Sequence, residues 1–200
     1  MTPEMVGQDR NLVMGKHTGT HSVRETLRKA DFDPTEEEVT QVTKKIKSMG
    51  SKGKRITDTD IFAIAESVMT SVPEAEKIID LESVNVTTGN NVKPVATVEA
   101  MVRGERRVNA EIGVGPVDAA MNAVSSLVDE EDIDITEFHI DAVSGGSDAV
   151  GTVTVGISDV EGTKADAQSS SDDITVASVE AMVDALNHLE RKRRSRTRAD

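Results

Sequence analysis

The chain has 200 residues, of which 36% are hydrophobic, with three phenylalanines and no tryptophan, tyrosine or cysteine. This size suits one domain or two small ones, and the lack of cysteine excludes disulfides, thiolate metal ligands and a cysteine nucleophile. No apolar run approaches the roughly 18 residues that cross a bilayer, and the first residues lack the pattern of a signal peptide. The net charge of −13 disfavours binding to nucleic acid and is typical of the surface of a halophilic protein. We therefore expect a halophilic, cytoplasmic protein.

Two of the four histidines, His17 and His21, stand four residues apart in the stretch GKHTGTH near the amino terminus. This spacing would place them on one face of a helix, but the stretch contains glycines that interrupt helices, and zinc requires three or four protein ligands. The other two histidines lie in other predicted elements, so we predict no metal site. Anion binding by Lys16 and His17 is an alternative, although the glycines are too few for a phosphate-binding loop.

The first third of the chain predicts short amphipathic helices. Asp33 and Pro34 are placed to begin one helix, which Gly50 is placed to end. Thr57 and Asp60 form the start of a second helix. The apolar stripes of the two helices are Val39, Val42, Ile46 and Met49, and then Ile61, Ile64, Ala65 and Val68. We therefore predict a helical linker subdomain over residues 1–75.

From residue 78 onward the period changes to that of strands. Segments 81–89, 94–102 and 107–115 predict three strands, and 116–128 predicts a helix that Pro116 opens. The order then recurs, with strands over 135–146, 149–159 and 163–171 and a helix over 173–190, whose predicted buried stripe is Ile174, Ala177, Val179, Met182 and Leu186. Gly104 corresponds to Gly162 and Val117 to Ile174, at shifts of 58 and 57 positions.

The repeat predicts an α+β domain over residues 78–190, built from two βββα units. A single such unit leaves an apolar face uncovered, and two units packed together create a seam suited to a small ligand or a second subunit. At one strand-to-helix junction, GVGPVDAA, the glycines and proline predict a tight turn that aims the amino terminus of the helix outward. Such a helix start attracts carboxylates, although a purely structural turn is equally consistent with the pattern.

The chain ends in ERKRRSRTRAD, where basic residues crowd together. We predict that residues 191–200 form a solvated, disordered basic tail after the last helix. A nucleic-acid-binding arm is the alternative, which the acidity of the whole chain disfavours.

Four ordered stretches carry a resemblance to a known family. TPEMVGQDRNLVMGKHTGTHSVRETL resembles the segment after the catalytic barrel in the 2-isopropylmalate synthase family, which includes citramalate and homocitrate synthases. GVGPVDAAMNAV, DAVSGGSDAVGTVTV and DDITVASVEAMVDALN resemble that family's carboxy-terminal regulatory domain, at the expected spacing. The resemblance covers nearly all of residues 2–190.

The family condenses acetyl-CoA with a 2-oxo acid in a TIM barrel that holds a divalent metal. The resemblance implies that this barrel would precede Thr2 and is absent from this chain, which is then expected to hold no cofactor and to lack synthase activity alone. It implies a truncated product, a fragment or a stand-alone regulatory subunit. Such a chain would act as a homodimer, and a barrel-containing synthase subunit is a further implied partner. The expected effector is leucine, or isoleucine if the parent enzyme makes citramalate.

The resemblance also implies site residues. His17 would reach across a dimer into a neighbouring barrel and assist proton transfer, while a solvent-exposed histidine without a role is the alternative. Asp118 would accept the effector's ammonium group, Phe138 occupies the place of an aromatic near the ligand, and Val114 departs from the usual Asp or Asn. The predicted effector-binding residues, for which ordinary core packing is the alternative, are Val117, Asp118, Ile135, Phe138, Ala142, Ala149 and Gly151.

Overall fold

The computed structural model describes residues 17–128, 133–146 and 148–197. Its helices are α1 (Thr20–Lys29), α2 (Glu36–Ser51), α3 (Asp58–Thr70), α4 (Pro116–Leu127) and α5 (Ile174–Thr197). Its strands are β1 (Ile79–Gly89), β2 (Val92–Val102), β3 (Glu105–Ile112), β4 (Ile133–Ala142), β5 (Gly151–Asp159) and β6 (Lys164–Ser171). The chain divides into two compact units between Met69 and Thr70. The predicted α+β class is confirmed, and the described residues of neither unit form a barrel.

In the first unit, α2 begins with a reciprocal cap. The Thr35 hydroxyl accepts from the Glu38 N–H (3.3 Å), and the Thr35 N–H donates to the Glu38 carboxylate (2.6 Å). The cap predicted at Asp33 lies two residues too early, because Thr35 and Glu38 form a complete capping box. Helix α2 does not end at Gly50 as predicted but continues to Ser51. The glycine with a positive φ that follows the end of the helix is Gly53, at 92°.

Helix α3 begins as the sequence predicts. The Thr57 N–H donates to the Asp60 carboxylate at 2.9 Å, and the Thr57 hydroxyl accepts from the Asp60 N–H at 3.3 Å. The predicted apolar stripes of α2 and α3 are both buried. Tertiary packing of these stripes therefore supplies the stability that such short helices lack in isolation.

The second unit contains two three-stranded antiparallel sheets, ordered β1-β2-β3 and β4-β5-β6. Helix α4 packs on β2 and β3, helix α5 packs on β5 and β6, and the two helices contact each other. The buried inner residues of the central strands are Ala96, Val98 and Ala100 in β2, and Val153, Val155 and Ile157 in β5. The predicted duplication of a βββα unit is thus confirmed, with one core shared by both repeats.

The repeats agree down to a bulge in their first strands. In β1 the register shifts between Leu81 and Ser83, and in β4 it shifts between Ile135 and Glu137. The repeats differ in the connection that follows, because only residues 90–91 separate β1 from β2, whereas residues 143–150 separate β4 from β5.

Helix α5 extends beyond the boundary drawn at residue 190, so the expectation of a disordered tail is wrong for residues 191–197. Arg193 Nε lies 2.9 Å from Asp159 Oδ2, and Arg191 and Arg196 pair with Glu76 and Glu161. Of the three acidic partners only Asp159 is buried, and its pair with Arg193 holds the end of the helix. Residues 198–200 lie outside the described chain. Ile174, predicted in the buried stripe, is 44% exposed because it lies in the first turn of α5.

Candidate functional site

An uncovered apolar surface lies on strand β4, at the edge of the second sheet. Ile135, Phe138, Ile140 and Ala142, together called the β4 face, pair with Ile157, Val155, Val153 and Gly151 of β5. Directly paired residues share a face of an antiparallel sheet, and the side chains of Val153, Val155 and Ile157 belong to the core. The β4 face is therefore on the side where the helices pack, yet Ile135 and Phe138 are 45% and 41% exposed.

The equivalent strand of the first repeat, β1, is covered instead. The equivalent residues of β1 are Leu81, Val84 and Val86, which pair with the inner residues of β2 and pack against the core. Helix α5 lies against β1 and covers it. The second repeat thus presents an apolar strand face that the first repeat hides.

Small residues border one end of the β4 face. Gly151 is the direct partner of Ala142, and a Cβ added at Gly151 would lie 3.5 Å from the Ile174 side chain at the start of α5. Ala149 is half-buried in the connection before Gly151, and its N–H donates to the Gly146 carbonyl at 3.4 Å. Four predicted effector residues, Ile135, Phe138, Ala142 and Gly151, therefore share one surface, with Ala149 two residues from it in sequence.

The other two predicted effector residues lie at the start of α4. Val117 is half-buried and packs against the core, whereas Asp118 is exposed. The Asp118 carboxylate accepts a hydrogen bond of 2.9 Å from the Val114 N–H, which closes the turn before the helix. This bond occupies the Val114 N–H, which lies just before Gly115, the N-cap of α4. Among the described residues, no hydrogen bond joins this turn to the β4 face.

An open depression of about 680 Å³ adjoins the α4 turn and was not predicted. Its lining includes Asn90, Lys93, Val114, Asp118 and Asn122. The sequence pointed to the turn through its glycines and proline, but Lys93 comes from the β1–β2 hairpin and carried no local signal. Ile140 was missed as well, although it continues the alternation of Phe138.

The two amino-terminal histidines belong to the first unit. His17 is exposed and lies before α1, and His21 lies in the first turn of α1, which Gly19 precedes as the N-cap. The hydrogen bond from Lys29 and the positive charge of Lys29 lower the pKa of Glu25. No three His, Asp or Glu side chains within the described ranges are grouped so that they could hold a metal ion.

None of the described helices is both long and apolar enough to cross a membrane.

Fold and site define a duplicated βββα domain, joined in one chain to a helical segment and bearing an exposed apolar strand face. Residues 55–190 match the family model of the LeuA allosteric (dimerisation) domain, and residues 1–54 match the homocitrate synthase post-HMGL domain-like model. The chain belongs to the LeuA allosteric (dimerisation) domain family, which confirms the resemblance noted from its motifs.

Curated relatives extend this result. The chain is 45% identical over 197 residues to a probable 2-isopropylmalate synthase of Archaeoglobus fulgidus, covering 98% of this chain and 39% of that protein. It is 39% identical to the 2-isopropylmalate synthase of Methanocaldococcus jannaschii (96% and 37% covered). It is 40% identical to a putative (R)-citramalate synthase CimA of Methanothermobacter thermautotrophicus (94% and 38% covered). The chain spans about two fifths of the length of these relatives.

Proposed function

We propose that this chain is the regulatory part of a 2-isopropylmalate synthase-type acyltransferase, which binds leucine as a feedback effector and mediates dimerisation. The observation that carries the proposal is the β4 face, an apolar surface left open within a domain whose family is named for allostery and dimerisation. Patches of this kind mark binding sites.

In this proposal the leucine side chain lies on Ile135, Phe138 and Ala142. Full burial of a leucine side chain is worth about 1.5–3 kcal/mol, which suits a metabolite sensor. The small residues Ala149 and Gly151 allow the ligand's main-chain atoms to approach the beginning of β5. Val117 and Asp118 contribute from the start of α4, where the exposed Asp118 carboxylate supplies the negative charge that would attract an ammonium group.

The proposal is tested by calorimetric titration of the folded chain with leucine and with isoleucine in molar salt. We expect saturable leucine binding that Phe138→Ala weakens by roughly 10-fold or more, since 1.4 kcal/mol corresponds to tenfold in affinity. Val108→Ala is the matched control, because Val108 is a 60% exposed apolar residue on the outer face of the other sheet. A folded chain that binds neither amino acid would contradict effector sensing.

We further propose that the chain alone does not condense acetyl-CoA with a 2-oxo acid, and that His17 acts only in trans on a barrel that holds the divalent metal. The test is release of free CoA from acetyl-CoA and 2-oxoisovalerate by the pure chain, with and without Mg²⁺ or Mn²⁺. We expect none above background, and turnover that His17→Ala abolishes would contradict the proposal.

A second candidate is the regulatory part of a citramalate synthase that senses isoleucine, which the 40% identity to a putative citramalate synthase favours. Saturable binding of isoleucine with no response to leucine would select it. A stand-alone sensing subunit is a variant of either candidate, and it predicts that adding this chain makes a separately produced barrel protein sensitive to the amino acid.

A further inference from the structure

The outer backbone edge of β4 differs from the outer edges of β1 and β6, where backbone groups form hydrogen bonds with side chains of α5. The Ile78 and Ile79 N–H groups at the start of β1 donate to Asn187 Oδ1 at 2.9 and 3.0 Å, and Asn187 Nδ2 donates to the Ile79 carbonyl. On β6, the Asp166 and Lys164 carbonyls bind His188 and Lys192 of α5 at 2.8 and 2.7 Å. Helix side chains thus occupy part of these edges.

Among the described residues, no helix side chain binds the outer backbone edge of β4. The strand is ten residues long, its backbone pairs with β5 on one side, and on the other side it receives no hydrogen bond from the described residues. Its sequence, IDITEFHIDA, lacks the lysines and prolines that commonly protect an edge strand. A long edge with free N–H and C=O groups is a template for another strand.

We propose that β4 pairs antiparallel with β4 of a second copy of the chain, which joins the two second sheets into one six-stranded sheet across a two-fold axis. The proposal rests on the proposed dimerisation and assigns it to a surface. Self-pairing of one strand gives the closed, self-complementary contact expected of a two-fold dimer.

The charges on the other side of β4 select the register. That side carries Glu137, His139 and Asp141, and His139 Nε2 lies 3.2 Å from Asp141 Oδ1 within one chain. If the two-fold axis passes through His139, Glu137 of one copy faces Asp141 of the other. If it passes through Asp141, the two Asp141 side chains face each other. Both arrangements place like charges together. An axis at Ile140 instead sets His139 of one copy opposite Asp141 of the other.

The bulge in β4 disfavours one further register. An axis at Phe138 would oppose Glu137 to His139, but it would carry the pairing into the register shift between Ile135 and Glu137. An axis at Ile140 keeps the pairing within 138–142, the regular part of the strand. It also brings Phe138 of each copy beside Ala142 of the other, so the two β4 faces become continuous.

The lack of cysteine in the chain makes a direct test possible. Single cysteines are placed in turn at positions 137–142 and at Val108, an exposed residue on the edge strand β3, and each protein is oxidised mildly. Because residues on a two-fold axis face themselves, we expect disulfide-linked dimers to form fastest with Ile140→Cys and not to form with Val108→Cys. Cross-linking that peaks at another position of β4 would overturn this register.

Sedimentation of the full chain completes the test. Ile140→Lys places a charge on the β4 face, and we expect it to raise the dimer dissociation constant by about 100-fold or more, while Val108→Lys leaves it unchanged. Circular dichroism verifies that both variants fold. A wild-type dimer that Ile140→Lys leaves intact would overturn the β4 pairing but not dimerisation, whereas a wild-type chain that stays monomeric at every concentration would overturn both.

Discussion

At Gly113 the main chain before α4 passes too close to the helix for any side chain. A Cβ at this position would lie 2.3 Å from the Ala119 backbone nitrogen and 2.7 Å from Asp118 Oδ2. Contacts this short with backbone atoms are relieved only by moving the turn or the helix. Gly113 therefore fixes where α4 begins, and with it the positions of Val117 and Asp118.

We predict that Gly113→Ala lowers the free energy of unfolding by about 1–3 kcal/mol, as overpacking does. Gly115→Ala is the matched control, because a Cβ there meets nothing within 4 Å and its φ of −147° suits any residue. Urea unfolding monitored by circular dichroism compares the two. Equal stability of both variants would show that the turn is free to move.

Asp159 is a buried carboxylate whose charge is stabilised by the end of α5. Burial raises the pKa of Asp159, but hydrogen bonds from Arg193 and the Thr163 N–H, together with the charge of Arg193, outweigh it and hold the pKa below its usual value. A carboxyl group with a lower pKa in the folded state contributes fully above its unfolded pKa of about 4. That contribution disappears as the pH falls through the folded value.

We predict that Asp159→Asn destabilises the chain at pH 7 and that its deficit relative to the wild type shrinks as the pH is lowered below about 4. Denaturant unfolding across this pH range measures both effects. Glu161→Gln serves as the control, because its pair with Arg196 is exposed and of small value. A deficit that is independent of pH would mean that the charge of Asp159 is not what stabilises the helix end.

At the scale of whole elements, Asn187 fastens α5 to the start of β1. Its amide group makes three hydrogen bonds to the backbone of Ile78 and Ile79, and only 2% of the residue is exposed. Removing the amide leaves buried backbone groups without partners, which costs about 1–3 kcal/mol per group. The contact also joins the two repeats, because β1 belongs to the first and α5 to the second.

We predict that Asn187→Ala lowers the free energy of unfolding by about 3 kcal/mol or more. Asn122→Ala is the matched control, since Asn122 is exposed and makes one hydrogen bond, of 3.1 Å, to the Ile112 carbonyl. Urea titration measures both variants, and a loss below about 1 kcal/mol for Asn187→Ala would contradict the proposed fastening.

The elements that follow from local patterns were predictable from the sequence. The Thr57 cap, the stripes of α2 and α3, and the twice-repeated strand and helix order depend on spacing within a few residues, and the structure confirms them. The Asp33 cap failed because Thr35 competes with it locally. The length of α5 was missed because Arg191 and Arg193 depend on Glu76 and Asp159, which are distant in sequence.

The site was only partly accessible for the same reason. Strands β1 and β4 show the same alternation, so no local pattern reveals that α5 covers one and leaves the other open. The motifs led to Ile135, Phe138 and Ala142 through the family resemblance, and their role as an effector site stays a prediction. The bond between Asp118 and the Val114 N–H depends on the geometry of the turn, which the sequence alone did not give.

At the scale of the whole molecule, the net charge of −13 opposes compactness through self-repulsion. We predict that the melting temperature rises as KCl increases from about 0.1 to 1 M, because the Debye length falls from about 10 to 3 Å. The same titration near pH 5, close to the sequence pI of 4.8, is the control, since repulsion is small there. An equal rise at pH 5 and at pH 7 would assign the effect to salting-out rather than charge.

The connections after β1 and β4 differ in length, so the two repeats differ in how well they tolerate insertions and deletions. Two residues link β1 to β2 in a hairpin whose geometry tolerates little change, whereas eight residues link β4 to β5 beside the exposed strand. Each doubling of a flexible loop costs only about 0.6 kcal/mol. Insertions and deletions among descendants of the duplicated ancestor should therefore accumulate in the second connection, and with them the differences in what each descendant recognises.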